Sequence, residues 1–513
     1  MPFEMTQLPD LLIVAADRWP NKTALIDRTT KITYADLLHK AQTVAANLTS
    51  LGIRTDDRVA VIVDKRIECV AAIFGCYLAK AILVPVNPQL KSRQIDHILS
   101  DSGSRLLMAT ADRSPILSGI EPGQIRLAVL GSDCSITPQT AAATAEDSVL
   151  PEEFRDRGLA TLFYTSGSTG LPKAVACTHG NILGGAQSVS TYLGNVPEDV
   201  ILAILPLSFD AGFSQLTTGM RVGATVVLQD YLLPADIARA CTQNGVTGIT
   251  GVPAIWAAAV KAKWPAEVAA NIRYFANTGG HLAAERLAEL RVLFPNARPF
   301  PMYGLTEAFR STYLDPSRVD DKPGSIGKAI PGATVCVIGD DGMECADDIS
   351  GELVHAGPTV SLGYWKNPEE TAKRFRPSPP GMIKRGITGM VVYSGDLVRR
   401  DTNGFLFWLG RRDGLVKVSG NRISFTEIED AALAHPAVRA AAAGALKPDP
   451  MVDPVLVLFV ESAEGPSVTE SLDALLRRTL PGYTVPSRII VLDSLPLNTN
   501  NKYDVKSMLA ELA

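Results

Sequence analysis

Tyr164-Thr-Ser-Gly-Ser-Thr-Gly-Leu-Pro-Lys173 overlaps the end of an apolar run, Leu159–Tyr164, which predicts a buried strand. Glycines let backbone N–H groups turn toward an anion, hydroxyls add donors, and Lys173 adds positive charge. The spacing is not that of a Walker A loop, because Leu-Pro-Lys follows Gly170. It is not a nucleophile elbow either, because Ser166 stands where G-x-S-x-G needs glycine. The stretch therefore predicts a strand followed by a loop that cradles a polyphosphate.

The sequence on both sides of this loop alternates between short apolar runs and longer amphipathic stretches. The runs that predict strands are Arg58–Val63, Ile82–Val86, Leu106–Ala109, Thr225–Leu228 and Val246–Thr250. The stretches that predict helices include Tyr34–Leu51, Ala235–Asn244 and Ala283–Phe294. This alternation is typical of an α/β fold, in which parallel-rich sheets are covered by helices.

Two later segments have a different pattern. In Val319–Val360, strands separated by Pro, Gly and Asp turns predict a β-rich subdomain. From about Gly410 the chain predicts a small α+β unit: a hairpin, a helix through Leu433, a strand, a helix and a final strand at Arg488–Leu492. We therefore expect an N-terminal domain of residues 1–410 and a C-terminal domain of residues 411–513, joined by the basic, glycine-containing stretch that begins at Gly410.

Composition excludes several classes of protein. The 513 residues carry a net charge of −5 and are 46% apolar, which is an ordinary globular composition with no basic surface for nucleic acid. The seven cysteines form no C-x-x-C pair, so neither a disulfide framework nor a zinc ribbon is indicated. The first ten residues, MPFEMTQLPD, carry acids and lack a basic region followed by an apolar run, so we expect no signal peptide. The apolar stretch from Val70 to Val86 predicts a buried helix and strand in place of a membrane span. We expect a cytoplasmic protein.

Four further segments carry residue types suited to nucleotide chemistry. Tyr303-Gly-Leu-Thr-Glu307 offers an aromatic ring, a hydroxyl and a carboxylate that can hold Mg²⁺. Tyr393-Ser-Gly-Asp396 places an Asp after a strand, where it can bond ribose hydroxyls or cap a helix. The other two are Gly410-Arg411-Arg412-Asp413 and Pro496-Leu-Asn-Thr-Asn-Asn-Lys502. Each is weak alone, and their order along the chain carries the information.

Taken in this order, the five segments resemble the AMP-forming adenylate-forming superfamily, which includes acyl-CoA synthetases and the adenylation domains of non-ribosomal peptide synthetases. The resemblance runs from Ile32-Thr-Tyr-Ala-Asp-Leu to Lys502. It implies a large N-terminal domain and a small mobile C-terminal domain with the active site at their junction. It also implies ATP and Mg²⁺, and two half-reactions: a carboxylate and ATP form an acyl-adenylate and pyrophosphate, and a phosphopantetheine thiol then takes the acyl group.

The resemblance also implies a role for individual residues. Phosphate-binding roles fall on Thr165, Ser166, Gly167, Ser168, Thr169, Gly170 and Lys173. In the second segment, Tyr303 and Gly304 meet the adenine, Thr306 contacts phosphate, and Glu307 binds Mg²⁺. Asp396 and Arg411 hold the ribose. Asp413 is the expected hinge, Gly420 lines the thiol path, and Lys502 bridges carboxylate and phosphate in the first half-reaction.

The sequence indicates less clearly which residues bind the carboxylic acid. Phe209-Asp210 is similar to the Phe-Asp of amino-acid-activating domains, whose Asp pairs with the substrate ammonium; the alternative is that Asp210 caps the next helix. Gly279 and Gly280 are similar to a Gly-Gly of the same domains, whereas Leu305 is the acyl-CoA ligase form. We therefore expect an amino acid as substrate, with proline among the candidates.

The thiol acceptor is predicted to be a separate phosphopantetheinylated carrier protein or CoA, because no carrier domain follows Ala513. Two alternatives stay open at this point. One is an acyl-CoA synthetase that acts on a small acid without an amine. The other is a non-catalytic relative that binds a nucleotide, although the joint presence of Glu307, Asp396 and Lys502 favours an enzyme.

Overall fold

The structure is a computed structural model that describes residues 5–120, 125–140, 150–165, 172–230, 233–412, 416–418, 421–423, 425–446, 454–480, 482, 484–498 and 502–512. Its α-helices are α1 Pro9–Arg18, α2 Tyr34–Ser50, α3 Ile67–Leu78, α4 Ser92–Ser102, α5 His179–Leu193, α6 Asp210–Val222, α7 Pro234–Asn244, α8 Pro253–Lys261, α9 Ala266–Asn271, α10 Ala284–Leu293, α11 Pro368–Arg374, α12 Pro380–Ile383, α13 Phe425–Leu433, α14 Val468–Thr479 and α15 Val505–Ala510. Short 3₁₀ helices span Ala111–Gly119, Glu152–Phe154, Thr306–Ala308, Pro316–Arg318 and Gly465–Ser467.

The strands are β1 Thr23–Asp27, β2 Thr30–Thr33, β3 Arg58–Ile62, β4 Ile82–Val86, β5 Leu106–Thr110, β6 Arg126–Leu130, β7 Ile136–Pro138, β8 Leu159–Thr165, β9 Lys173–Thr178, β10 Val200–Ala203, β11 Thr225–Leu228, β12 Gly248–Gly251, β13 Tyr274–Asn277, β14 Arg298–Tyr303, β15 Thr312–Tyr313, β16 Ser325–Ala329, β17 Thr334–Ile338, β18 Ser350–Ala356, β19 Phe375–Pro377, β20 Met390–Arg400, β21 Leu406–Arg411, β22 Val416–Val418, β23 Asn421–Ile423, β24 Val438–Leu446, β25 Val455–Ser462 and β26 Arg488–Leu492. The predicted α/β architecture is confirmed, and Ile82–Val86, Thr225–Leu228 and Arg488–Leu492 have the predicted bounds.

Two large sheets form the main body. One has the strand order β7-β6-β5-β3-β4-β8-β9, and its inner strands β3, β4, β5 and β6 run parallel. The other has the order β17-β18-β20-β21-β16-β15-β14-β13-β12-β10-β11-β1-β2, with β19 beside β20. Its parallel part is β10 to β14 with β1, and its antiparallel part holds the predicted β-rich segment. That segment therefore continues the larger sheet, because β15 joins β14 to β16.

Aromatic side chains connect the two sheets beneath the functional site. Phe163 on β8 packs on Phe213 of α6 and on Phe309, with ring centroids 5.3 and 6.3 Å apart. Helix α5 approaches Phe309 closely at Gly185, where a Cβ atom would lie 2.3 Å from the ring. Burial of these large rings fixes α6 and the segment after β14 relative to each other. The two segments carry Asp210 and Thr306 into the site.

The C-terminal region is a three-stranded sheet, β24-β25-β26, with helices on both faces. Alternate residues of β25 face opposite sides, as the pleat requires. Leu456 and Leu458 pack with Leu472 in the cluster that holds α13 and α14, while Val457 and Phe459 belong to the cluster of α15. The predicted hairpin is present as β22 paired antiparallel with β23, although its turn lies outside the described residues.

Several predicted boundaries differ from the structure by one or two residues. The strand predicted at Val246–Thr250 is observed as β12, Gly248–Gly251. The predicted linker stretch begins inside β21, since Gly410 and Arg411 pair with β20. The division at residue 410 stays a prediction.

All seven cysteines are free, as the absence of a C-x-x-C pair led us to expect. The stretch from Val70 to Val86 is divided between α3 and β4. Among the helices that the structure describes, none is both long enough and apolar enough to cross a bilayer.

Candidate functional site

A pocket of about 570 Å³ lies where the carboxyl ends of neighbouring parallel strands meet. Strands β10, β12, β13 and β14 run parallel, and the residues that follow each of them line the pocket. Open α/β sheets bind ligands at this edge. The pocket contains every described residue that the sequence predicted for the site: Thr165, Lys173, Phe209, Asp210, Gly279, Gly280, Tyr303, Gly304, Thr306, Glu307, Asp396, Arg411 and Lys502.

Seven predicted site residues lie outside the described part of the chain: Ser166, Gly167, Ser168, Thr169, Gly170, Asp413 and Gly420. The two ends of the predicted phosphate loop are described. They belong to the antiparallel hairpin of β8 and β9, in which Thr165 and Lys173 are direct partners. Thr165 and Lys173, at the two ends of the predicted loop, therefore face each other at the wall of the pocket.

Lys173 is held by an aromatic ring and a carboxylate. Its Nζ lies 4.1 Å from the centroid of Tyr364 and 3.7 Å from a carboxylate oxygen of Glu370. The Tyr364 hydroxyl in turn donates to Glu307 Oε1 at 2.5 Å. Burial, and next the negative charge of Glu307, raise the pKa of the Tyr364 hydroxyl, so it stays a donor. Lys173 and Glu307 are thus linked through one tyrosine that the sequence motifs did not single out.

Two of the predicted nucleotide segments are joined by a hydrogen bond. Tyr303 ends β14, and its hydroxyl donates to the buried Asp396 carboxylate of β20. Arg411 on β21 is the register partner of Asp396, and its guanidinium lies 3.5 Å from the carboxylate. Burial, together with the charge of Asp396, raises the pKa of Tyr303 well above its ordinary value. The Tyr303 ring stacks on the buried His355, with 6.3 Å between the ring centroids.

Lys502 comes from the C-terminal region and reaches the same pocket. A Cβ atom added to Gly279 would lie 3.3 Å from Lys502 Cε, and Gly279 has a φ of +71° that favours glycine. Lys502 as a whole is an exposed residue. Desolvation of its amine by the surrounding walls nevertheless lowers the pKa of Lys502 below the ordinary value, although the negative charges of Asp210 and Asp396 act in the opposite direction. The lysine therefore has carboxylates at both ends of the pocket as neighbours.

Asp210, which the sequence predicts to bind the substrate, is hydrogen-bonded to two other side chains of the pocket. It is the first residue of α6, and its carboxylate accepts bonds from Thr306 Oγ1 at 3.0 Å and from an Arg310 guanidinium N–H at 3.1 Å. The helix approaches Pro206 closely, since a Cβ atom on Gly212 would lie 2.1 Å from the Pro206 carbonyl oxygen. Arg310 was not predicted from the sequence. It stands three residues after Glu307, and its pairing with Asp210 depends on contact between segments 100 residues apart.

Direct contacts join the C-terminal region to the main body around Lys502. Lys261 pairs with Glu461, His281 Nε2 lies 3.2 Å from Asp430, and the Arg286 guanidinium donates to the Arg439 carbonyl at 2.8 Å. These contacts hold Lys502 at the pocket. No motif pointed to them, because each pairs an ordinary charged residue with a partner more than 140 positions away.

The residues around Glu307 are compatible with a Mg²⁺ ion that substrate phosphates help to hold. Among the described residues, no group of three or more His, Cys, Asp or Glu side chains forms a protein-only metal cage. Mg²⁺ in nucleotide sites is commonly held by one or two carboxylates together with substrate phosphates. Glu307, oriented by Tyr364 on the wall that holds Lys173, is a carboxylate of this kind.

Two family models match the chain. The model described as AMP-binding enzyme matches residues 12–365, and that of the AMP-binding enzyme C-terminal domain matches residues 427–502. A linear gramicidin synthase subunit from Brevibacillus parabrevis is 30% identical over 96% of this chain, but the chain spans only 6% of that relative's length. The L-proline–[L-prolyl-carrier protein] ligase of Pseudomonas fluorescens is 30% identical over 98% of both chains.

The fold is similar to that of a solved enzyme with a bound reaction intermediate. The o-succinylbenzoate CoA synthetase of Bacillus subtilis, in complex with its acyl-adenylate, superposes with a TM-score of 0.80 at 27% identity over 98% of each chain. A second structure of that enzyme, with a TM-score of 0.78 at 27% identity over 96% of this chain and 98% of that one, holds ATP and a magnesium ion. With both family models matched in order along the chain, this chain belongs to the AMP-binding enzyme family.

Proposed function

We propose that this protein activates a small amino acid, with proline among the candidates, as its adenylate and transfers it to the phosphopantetheine thiol of a separate carrier protein. The observation that carries the amino-acid assignment is the position of Asp210, whose carboxylate lies in the wall of the pocket that Lys502 enters. The similarity to a prolyl-carrier protein ligase over 98% of both chains supports the assignment.

The nucleotide takes the end of the pocket formed by Tyr303, Asp396 and Arg411. The carboxylate and the guanidinium bond the ribose hydroxyls, and the Tyr303 ring meets the adenine. Thr165, Lys173 and the predicted loop from Ser166 to Gly170 hold the phosphates, with Thr306 contributing a hydroxyl. Glu307 holds Mg²⁺, which neutralises phosphate charge when it is bound.

Adenylation brings anionic groups together. An oxygen of the substrate carboxylate attacks the α-phosphorus, the P–O bond to the β-phosphate breaks, and pyrophosphate leaves with the bonding electrons. Lys502 supplies positive charge at the point where the carboxylate and the α-phosphate meet, so it stabilises the transition state more than the separate reactants. Desolvation lowers the pKa of Lys502, and the negative charges of its neighbours Asp210 and Asp396 oppose that lowering.

Asp210 has capacity left for a substrate ammonium. A carboxylate offers about four lone-pair positions, and the described contacts use one bond on each oxygen. The carboxylate is also mostly buried, with 14% of the side chain exposed, so water competes weakly for the remaining positions. An ammonium placed there leaves the reacting carboxylate of a small amino acid within the part of the pocket that Lys502 enters.

The Arg310 contact favours a second candidate: a CoA ligase for a small acid that has no amine. Arg310 neutralises Asp210 before any substrate arrives, and this weakens the pull on an ammonium. The o-succinylbenzoate CoA synthetase, whose fold this chain shares, acts on an acid of that kind. The two candidates differ in both the acid and the thiol.

One experiment separates them. The protein is incubated with ATP, Mg²⁺, a panel of amino acids and their deaminated analogues, and either a phosphopantetheinylated carrier protein or CoA, and thioesters are identified by mass spectrometry. The proposal predicts an aminoacyl thioester on the carrier protein. A CoA thioester of an acid without an amine contradicts it and establishes the second candidate. The Lys502→Ala variant serves as the control for background acylation.

A further inference from the structure

Helix α4 packs along the hairpin that carries both ends of the predicted phosphate loop. Its buried Ile98 belongs to the same apolar cluster as Tyr164 at the end of β8 and Ala174 on β9. Burial of this helix face fixes α4 against both strands of the hairpin. Two polar side chains of α4, those of His97 and Asp101, then contact the chain close to the points where the loop begins and ends.

The first contact lies at the end of the loop that precedes Lys173. His97 Nε2 is 2.9 Å from the Pro172 carbonyl oxygen. A carbonyl oxygen only accepts hydrogen bonds, so the Nε2–H of His97 is the donor. Because the peptide group is planar, a bond to this carbonyl also fixes the orientation of the amide that it shares with Lys173. His97 therefore constrains the backbone that carries Lys173 into the wall of the pocket.

The second contact lies at the other end of the loop. The hydroxyl of Tyr164, the residue before Thr165, donates to Asp101 Oδ2 at 2.6 Å. Burial, and next the charge of Asp101, raise the pKa of Tyr164 well above its ordinary value, so its hydroxyl stays protonated and donates. Asp101 stands four residues after His97, so the two side chains lie on one side of α4. One helix therefore contacts the chain next to both ends of the loop.

These helix residues stand outside the pocket. His97 and Asp101 are not among the described residues that line it, whereas Thr165 and Lys173 are. An effect of α4 on a bound nucleotide must therefore pass through the ends of the hairpin. Groups that bind a substrate act best when they are held in place beforehand, and a displacement of about 1 Å can lower a rate about a hundredfold.

We infer that His97 and Asp101 are positioning residues, which hold the two ends of the predicted loop between Thr165 and Lys173 in the arrangement that binds the phosphates of ATP. The inference rests on the proposed phosphate binding by these two ends and the loop. It does not depend on which acid is activated. Changes at these contacts are therefore expected to alter the use of ATP and pyrophosphate and to leave the use of the acid unchanged.

The test at His97 separates the hydrogen bond from the presence of a polar side chain. Glutamine places an amide N–H about where histidine has Nε2, whereas asparagine is too short to reach Pro172. ATP–pyrophosphate exchange gives the KM values for ATP, pyrophosphate and the acid, and calorimetry with Mg²⁺ gives the Kd for ATP. His97→Asn should raise the KM and Kd for ATP about tenfold and change the KM for the acid by less than about twofold. His97→Gln should stay within about threefold of the parent protein in all of these constants.

The test at the other end uses the partner of Asp101. Tyr164→Phe removes the hydroxyl, keeps the buried ring, and should also raise the KM and Kd for ATP. Lys366→Met is the matched control, because Lys366 Nζ donates to the Asp101 carbonyl at 3.0 Å and so holds the same helix through its backbone. That control should keep the parent constants for both ATP and the acid, and melting temperatures show how far each variant loosens the fold.

The outcomes are distinct. Parent-like ATP constants in His97→Asn or Tyr164→Phe overturn the role of the contact that the variant removes. A rise that His97→Gln does not reverse, that Lys366→Met shares, or that is equally large for the acid shows that the contacts only fasten α4, and it overturns the inference. If His97→Asn does not fold, the constants of Tyr164→Phe decide.

Failure of the proposed function gives a different result. Binding of ATP by the parent protein without exchange for any acid contradicts the proposed function, while the Kd values for ATP in the variants still test His97 and Asp101. No binding of ATP by the folded parent protein contradicts both.

Discussion

The two ends of the pocket differ in how their charged groups are connected. At the nucleotide end, Asp396 and Arg411 are register partners on adjacent strands, and Thr165 faces Lys173 across a hairpin. At the acid end, Asp210 and Arg310 come from a helix N-terminus and a segment 100 residues later, and they neutralise each other. Backbone pairing therefore fixes the first set, while side-chain packing fixes the second. We therefore propose that the nucleotide end is the general part of this pocket and the acid end the selective part.

The largest effect is expected from removing the lysine that lies between the two ends. Lys502→Ala should lower the rate of adenylate formation by about a hundredfold or more. Among the described residues that line the pocket, Lys502 is the one cation that comes from the C-terminal region. Rapid-quench measurement of adenylate formation checks this. Thioester formation from supplied acyl-adenylate should stay near the parent rate, and equal losses in both steps would show that Lys502 serves both.

The next effect concerns the acid end alone. Asp210→Asn keeps the shape but removes the charge, and it leaves Arg310 unpaired as well. Loss of one partner of a buried pair costs about 3–5 kcal/mol, which corresponds to roughly a hundredfold to a few thousandfold loss in amino-acid kcat/KM. Exchange assays with parallel ATP-binding titrations measure it. Unchanged ATP affinity is expected, and unchanged use of an amino acid would contradict the ammonium assignment.

A smaller effect is expected at the nucleotide end. Tyr364→Phe removes the hydroxyl that orients Glu307 but keeps the ring under Lys173. Groups that orient a metal ligand typically contribute about tenfold or more to metal affinity. The variant should therefore need about tenfold more Mg²⁺ for half-maximal exchange, and its acid preference should be that of the parent. A change in acid preference would show that the two ends are not independent.

The smallest effect is a pH dependence of the contacts that hold Lys502 in place. Burial lowers the pKa of His281, but the hydrogen bond to Asp430 and the charges of Asp430, Glu429 and Glu285 outweigh this and raise it above 6.5. A raised histidine pKa means that the docked arrangement gains stability below the ordinary pKa and loses it as pH rises through the raised value.

This pH effect is read from the ratio of the two half-reactions. If thioester formation needs the C-terminal region to leave its docked position, the ratio of thioester formation to adenylation should rise with pH across that window. His281→Asn should flatten the rise. A ratio that stays constant with pH in the parent protein would contradict a role for this contact.

The nucleotide end was largely predictable from the sequence because its residues come in short contiguous motifs. The segments Tyr164–Lys173, Tyr303–Glu307, Tyr393–Asp396 and Gly410–Asp413 each place residue types suited to nucleotide binding within ten positions or fewer. The parallel strands were also predictable, since buried strands read as continuous apolar runs. All the described residues of these motifs reach one pocket.

The acid end could not be predicted to the same degree. Asp210 was recognised as a carboxylate near the substrate, but its partner Arg310 has no local signal, because an arginine three residues after Glu307 reads as an ordinary surface charge. Its burial follows from the packing of Phe309 against Phe163 and Gly185, which joins both sheets. Tyr364 and the contacts between the C-terminal region and the main body depend on the fold in the same way.

The central claim is that Asp210 selects an amino acid, and ATP–pyrophosphate exchange with matched pairs tests it most directly. Each pair contains an amino acid and the same acid without its amine, such as alanine and propanoate or proline and cyclopentanecarboxylate. The account predicts Mg²⁺-dependent exchange with the amino-acid member at least about tenfold faster than with its analogue. Exchange with the analogues alone, or no exchange with any acid by the folded protein, would contradict it.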